Sequence, residues 1–104
     1  MSDAVLIAYS SPVDAASESA WLEWFHSVHI PELRAAIPEM TDIVQYRVLR
    51  PEGTTPRFVT RYDVPGLDAP TLAGKLGAAG PTLSQTDLMG TGDDATVIEF
   101  ATAL

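Results

Sequence analysis

Two histidines, His26 and His29, are the only imidazoles in the chain, and they stand beside both of its tryptophans, Trp21 and Trp24. Imidazole exchanges a proton near neutral pH. A histidine at a pocket edge can therefore act as general acid or base on an acidic C–H or a phenol. The stretch from Trp21 to Met40, with both tryptophans and both histidines in its first nine residues, is where a reactive centre is expected. On a helical wheel at about 100° per residue, Trp21, Trp24, Phe25 and Val28 form an i, i+3, i+4, i+7 apolar stripe. His29 lies at the stripe's edge, and His26 falls further round toward solvent, with Glu23 and Ser27 on the polar face. His29 is the candidate acid or base. Its competing role is a half-buried imidazole bonded to a backbone carbonyl freed by Pro31. Trp21, Trp24 and Phe25 are candidates for a substrate cage against their commoner role as core. His26 is a candidate substrate contact at the periphery.

Histidines three apart can hold a metal weakly, but a site needs a third imidazole or carboxylates on the same side. Glu23 points the other way, so no metal is assigned. Tyr46 and Tyr62, in strand-like runs, could each aim a hydroxyl into a pocket to polarise a carbonyl or stabilise an enolate. Arg47 and Arg61 could hold a carboxylate, although an Arg61–Asp63 pair on one strand face competes with that role. Asp93 and Asp94 read as a solvated loop, and Gly90-Thr91-Gly92 is too short for a phosphate loop.

These residues need elements to position them. Residues 4–9 predict a buried first strand, ended by Ser10-Ser11-Pro12. A helix follows from about Ala15, with Asp14 or Ser17 as its N-cap. Pro31 lacks an N–H and disfavours helix for Ile30, so the helix is expected to kink or restart there and to end at Pro38. Residues 41–50 and 56–64 predict two strands joined by a Pro-Glu-Gly-Thr-Thr turn. Gly74 and Gly77 weaken a helix over 71–79. Pro81 could start a short turn through Leu88, and residues 96–102 predict a last strand. The order β-α-β-β-α-β predicts an α+β, ferredoxin-like domain over residues 1–104, a four-stranded antiparallel sheet with both helices on one face. The other face also carries apolar residues, and a homodimer packed sheet to sheet would cover it.

Composition narrows the partners. The chain of 104 residues has a net charge of −8, from 14 acids against 6 scattered bases, which argues against a nucleic-acid partner. There is no cysteine, so disulfides and thiolate nucleophiles are excluded. The N-terminal apolar run is too short for a signal peptide or membrane span, and a cytoplasmic protein is the default expectation.

Taken together, Trp-Phe-His-Ser-Val-His-Ile-Pro-Glu-Leu, then Ile-Pro, Val-Gln-Tyr-Arg-Val and Pro-Arg-Phe-Val-Thr-Arg-Tyr-Asp-Val resemble the EthD-like branch of the dimeric α+β barrel superfamily. The resemblance spans roughly residues 20–64. The histidine of that pattern is His29, its strand tyrosine and arginine are Tyr46 and Arg47, and the later strand supplies Arg57, Phe58 and Tyr62. Glu39 stands where glycine is usual, and Gln45 where arginine is common. The resemblance implies a homodimer with a small-molecule pocket between helices and sheet. Relatives include lactone isomerases, polyketide cyclases, cofactor-free oxygenases and haem-binding enzymes. The expectation is a cofactor-independent isomerase or cyclase acting on a cyclic or aromatic carbonyl metabolite, with His29 as acid or base and Tyr46 or Tyr62 on the oxygen. A cofactor-free monooxygenase acting on a phenol or anthrone, and a non-catalytic accessory that only binds a metabolite, are the alternatives.

Overall fold

The structure is a computed structural model describing residues 3–104. Its elements are β1 (Ala4–Ser10), α1 (Glu18–Trp24), α2 (Ile30–Ala36), β2 (Ile43–Arg47), β3 (Phe58–Val64), α3 (Ala69–Ala79) and β4 (Val97–Thr102). The expected order βαββαβ holds, and the strands lie β2-β3-β1-β4 with every neighbouring pair antiparallel.

Strict alternation sorts the two faces of the sheet. Ala4, Leu6, Ala8 and Ser10 of β1, and Phe58, Thr60, Tyr62 and Val64 of β3, are buried beneath the helices. Leu6 pairs with Tyr62 on one side and Phe100 on the other, which puts Ile98 and Phe100 on that same face. The register sends Val5, Ile7, Tyr9, Val44, Tyr46, Val59 and Val97 to the opposite face, together with Arg61, Asp63 and Glu99. That face is largely apolar and open, with Tyr46 49% and Val97 52% exposed.

Local chemistry starts each helix. The Asp14 carboxylate accepts the Ser17 N–H at 2.8 Å, opening a 3₁₀ turn that leads into α1. Asp68 accepts the Thr71 N–H at 2.8 Å, and Pro70 sits in the first turn of α3. The helix expected over 71–79 starts two residues earlier, behind the Asp68 cap, and Gly74 and Gly77 lie on its exposed side, where they cost it only propensity. The turn expected from Pro81 to Leu88 shrinks to a 3₁₀ turn, Gly80–Thr82.

The largest departure is at Pro31. A second helical segment does begin there, α2 with Pro31 in its first turn, but without a break: α1 and α2 are joined by a π-helical segment, Phe25–His29, and Ile30 remains in the α region at φ −61°, ψ −47°. The Ile30 N–H donates to the carbonyl of Phe25, five residues back. The widened turn gives the pyrrolidine ring of Pro31 room beside the carbonyls it would otherwise strike. It also corrects register. Trp21, Phe25, Leu33 and Ile37, buried at multiples of four residues, would drift by about 40° per four-residue step on a plain α-helix. The π segment takes up part of that drift.

After α3 the chain returns beside the end of β1. Pro12 bridges Met89, the Val13 N–H donates to Leu88 O at 2.6 Å, and the Gly90 N–H donates to Ser11 O at 2.7 Å. A Cβ on Gly90 would lie 2.7 Å from the Asp94 carbonyl oxygen and 3.1 Å from that of Ser11, so this crossing requires glycine.

Candidate functional site

Between the long helical run (residues 18–36), α3 and the sheet lies a cavity of ≈ 140 Å³. Leu6, Ala8, Ser10, Tyr62 and Ile98 form its floor, Phe25, His29 and Leu33 one wall, and Leu76 another. Leu83, Met89 and Thr96 close it from the connecting segments. A second space of ≈ 160 Å³ lies on the far side of His29, lined by Trp24, Gly80, Leu83, Ser84, Gln85, Thr86 and Met89. His29, Leu83 and Met89 border both. The site is thus an apolar inner chamber and a more polar outer one, with His29 between them.

His29 owes this position to the π segment that carries it. Its ring stacks on Trp24 (centroids 5.2 Å apart, 22° between planes) and tilts against Phe25 at 5.0 Å. Nδ1 is buried with no hydrogen-bond partner among the described residues. The bond to a carbonyl freed by Pro31 is therefore not made at Nδ1. Burial holds the imidazole pKa below its ordinary 6.5, with the Glu32 carboxylate pulling the other way. Desolvation wins because His29 lies in an aromatic nest, whereas Glu32 faces water. The imidazole is neutral near pH 7.

Glu32 is committed elsewhere. Its carboxylate accepts the Ser84 N–H at 2.7 Å and the Ser84 Oγ–H at 2.6 Å, bonds that hold its pKa below the usual carboxylate value. This fastens α2 to the rim of the outer chamber. On the floor, burial pushes the Tyr62 phenol far above its ordinary pKa, against a smaller opposing pull from the Thr60 hydroxyl. Tyr62 is therefore a standing hydroxyl donor. Ser10, 2% exposed, carries an Oγ without a partner among the described residues.

The structure brings His29, Tyr62 and Phe25 to one cavity and sets Trp24 against His29 in the outer chamber. It leaves five other sequence candidates away from both chambers. Trp21 is fully buried, stacked on Phe58 at 5.2 Å, and belongs to the core. His26 is exposed and donates from Nε2 to Gln45 Oε1 at 2.9 Å, while Gln45 Nε2 donates to Thr60 Oγ1 at 3.2 Å. Tyr46 and Arg61 project from the opposite sheet face, because one step along a strand reverses a side chain. Arg61 there pairs with Asp63 at 3.1 Å. Arg47 lies on the helix side but pairs with Glu18 at 2.6 Å and covers the Phe58 ring at 4.9 Å. Among the described residues, no group of three or more His, Asp or Glu side chains is placed to hold a metal ion.

Sequence reasoning passed over Ser10, Leu83, Met89, Thr96 and Ile98. For Ser10 a signal existed: it continues the alternation Ala4, Leu6, Ala8 by one further step. For Leu83 and Met89 none did, since only the return of an irregular segment past β1 brings them to the cavity.

No protein-family model and no curated protein matches the sequence. Along its whole length, however, the chain is similar to a solved structure, an ethyl tert-butyl ether D (EthD) family protein from Bacillus halodurans. The TM-score is 0.58, with 16% identity and all of both chains covered. The chain has the EthD-like α+β fold, as its βαββαβ order and sheet topology require. Among the described residues, no helix is long and apolar enough to cross a membrane.

Proposed function

We propose that the inner chamber binds a small cyclic or aromatic, carbonyl-bearing metabolite and that His29 moves a proton on it without a cofactor. The observation that carries this reading is a neutral, desolvated imidazole in the wall of an apolar cavity, its buried Nδ1 unpartnered. Neutral imidazole is the form that accepts a proton. In this mechanism a ring nitrogen of His29 takes the proton from the carbon next to the carbonyl, and the electron pair moves onto the carbonyl oxygen. The Tyr62 hydroxyl, held protonated by burial, donates a hydrogen bond to that enolate oxygen. Where the substrate carries a β,γ double bond, the enolate extends over it, and return of the proton from imidazolium to the γ carbon completes an isomerisation. Trp24 and Phe25 flank the imidazole and exclude water.

Hydrogen exchange tests this with simple ketones in place of the metabolite. A panel of monocyclic ketones is incubated with the protein in D₂O, and exchange of the α-hydrogens is followed by proton NMR. The parent protein is expected to accelerate exchange for at least one member, and His29→Ala to lower that rate by about 10²-fold or more. Equal rates in the parent and His29→Ala would remove the acid–base role. Tyr62→Phe is expected to slow exchange by a smaller factor. The same reading includes a homodimer in which a second copy covers the apolar face bearing Val5, Ile7, Tyr9, Val59 and Val97. Sedimentation of a monomer at micromolar concentration would exclude it.

A further inference from the structure

We infer that Ser10 is a binding residue of the inner chamber, and that its ligand is a single ring whose one oxygen hydrogen-bonds to the Ser10 hydroxyl. This rests on the cavity being a ligand site, as proposed above, but assigns a residue and a ligand size that the acid–base reading leaves open.

Two adjacent serines make the case. Ser10 ends β1 and Ser11 follows it directly, and the two are buried alike, at 2% and 0% exposed. Ser11 turns its Oγ to Arg57, which donates from Nη1 at 3.1 Å, and Arg57 also binds the carbonyls of Asp94 and Ala95. The Ser11 hydroxyl is therefore part of the framework. Ser10, one residue earlier, faces the opposite way, lines the cavity and has no partner for its Oγ among the described residues. Buried hydroxyls are normally hydrogen-bonded, and an exception calls for an explanation. Of the other floor residues, Leu6, Ala8 and Ile98 offer no polar side-chain atom, and Tyr62 offers one hydroxyl, which the acid–base reading aims at the same ligand oxygen. A ligand oxygen fits this arrangement, since a hydroxyl can donate to a ketone or accept from a phenol.

Volume supplies the second half. The inner chamber measures ≈ 140 Å³, and an apolar protein cavity of about 150 Å³ takes up one benzene. One six-membered ring fills such a space, and three fused rings do not enter it. Anthrone-sized substrates, one of the two named for the alternative oxygenase reading, are thus too large for the inner chamber.

The experiment is a calorimetric titration of the full chain with benzene, phenol and 1-naphthol, repeated on Ser10→Ala and Ser10→Thr. The parent is expected to bind phenol about tenfold more tightly than benzene, a factor corresponding to one well-made hydrogen bond. Ser10→Ala is expected to bring phenol down to the benzene affinity while leaving benzene unchanged, and Ser10→Thr to restore the preference. Without ligand, Ser10→Ala is expected to melt no lower than the parent, whereas loss of a framework serine lowers the melting temperature. If benzene and phenol bind the parent but Ser10→Ala leaves their ratio unchanged, the Ser10 assignment is overturned and the cavity reading stands. Tighter binding of 1-naphthol than of phenol overturns the one-ring size. If neither benzene nor phenol binds the parent, the ligand cavity itself falls, and this inference with it.

Discussion

Trp21 and His29 stand on the same helical run above the same two central strands, yet what lies beneath them differs. Beneath Trp21 the space is filled: its indole stacks on Phe58, tilts against Phe25 at 5.2 Å, and the Arg47 guanidinium lies over the Phe58 ring. Beneath His29 the space is hollow, floored by Ala8 and Ser10, whose small side chains leave a cavity that larger ones would fill. Phe25 borders both halves. The filled half supplies burial, which a domain of 104 residues needs because small chains bury a smaller share of their surface. The hollow half gives up contacts and leaves two buried polar atoms, Ser10 Oγ and His29 Nδ1, without partners among the described residues, whereas the filled half leaves one, Trp21 Nε1. Stability and chemistry are thus assigned to opposite ends of one helix–sheet interface.

That division can be broken by mutation. Trp21→Ala should have the largest effect, about 3–5 kcal/mol of lost stability in denaturant unfolding. Next should come Gly90→Ala, whose Cβ meets backbone oxygens at 2.7 and 3.1 Å. Its expected cost is about 1–3 kcal/mol, with weaker binding in the cavity because the Ser11–Gly90 crossing must shift. Leu83→Ala, at the border of the two chambers and only partly buried, should cost about 1 kcal/mol and widen the passage beside His29. If Leu83→Ala destabilises the chain as much as Trp21→Ala, the hollow half is no less a core than the filled one.

The smallest effect is the dependence on pH. Burial holds His29 below 6.5 in the folded chain, so between the two values the unfolded chain binds more protons. The contribution of His29 is therefore fully present above pH 6.5 and is lost as pH falls below it. Subtracting the stability curve of His29→Ala from that of the parent should isolate this acid-side loss. Activity that requires the neutral imidazole should keep its plateau through pH 7 and fall with a midpoint below 6.5. A midpoint above 6.5 would place His29 in a different environment from the one described.

Much of the architecture was legible in the sequence because it depends on period and punctuation. The apolar run 4–9 and the strand pattern of 56–64 placed two strands, Asp14 or Ser17 announced the first helix, and the wheel set His29 inward and His26 outward. Which strand face meets the helices was not legible, since Val5, Ile7 and Tyr9 are as apolar as Ala4, Leu6 and Ala8. Tyr46 and Arg61 were drawn into the candidate site for that reason. Arg47 could not be placed either, because its partner Glu18 stands 29 residues away in the chain. Pro31 marked the start of the second segment, but the local rule against helix for Ile30 was overridden when the helix widened by a residue.

That widening gives chain length a part in the chemistry. Ser27 is exposed, and deleting it should rewind the π turn into a plain α turn, because five residues of the widened turn cover about the rotation of four in an α-helix. Leu33 and Ile37 would then keep their places on the sheet, and the change would fall on the turn that carries the imidazole. The extra residue between Phe25 and Leu33 is in this sense a local mechanical setting of His29, one that a single lost codon would remove.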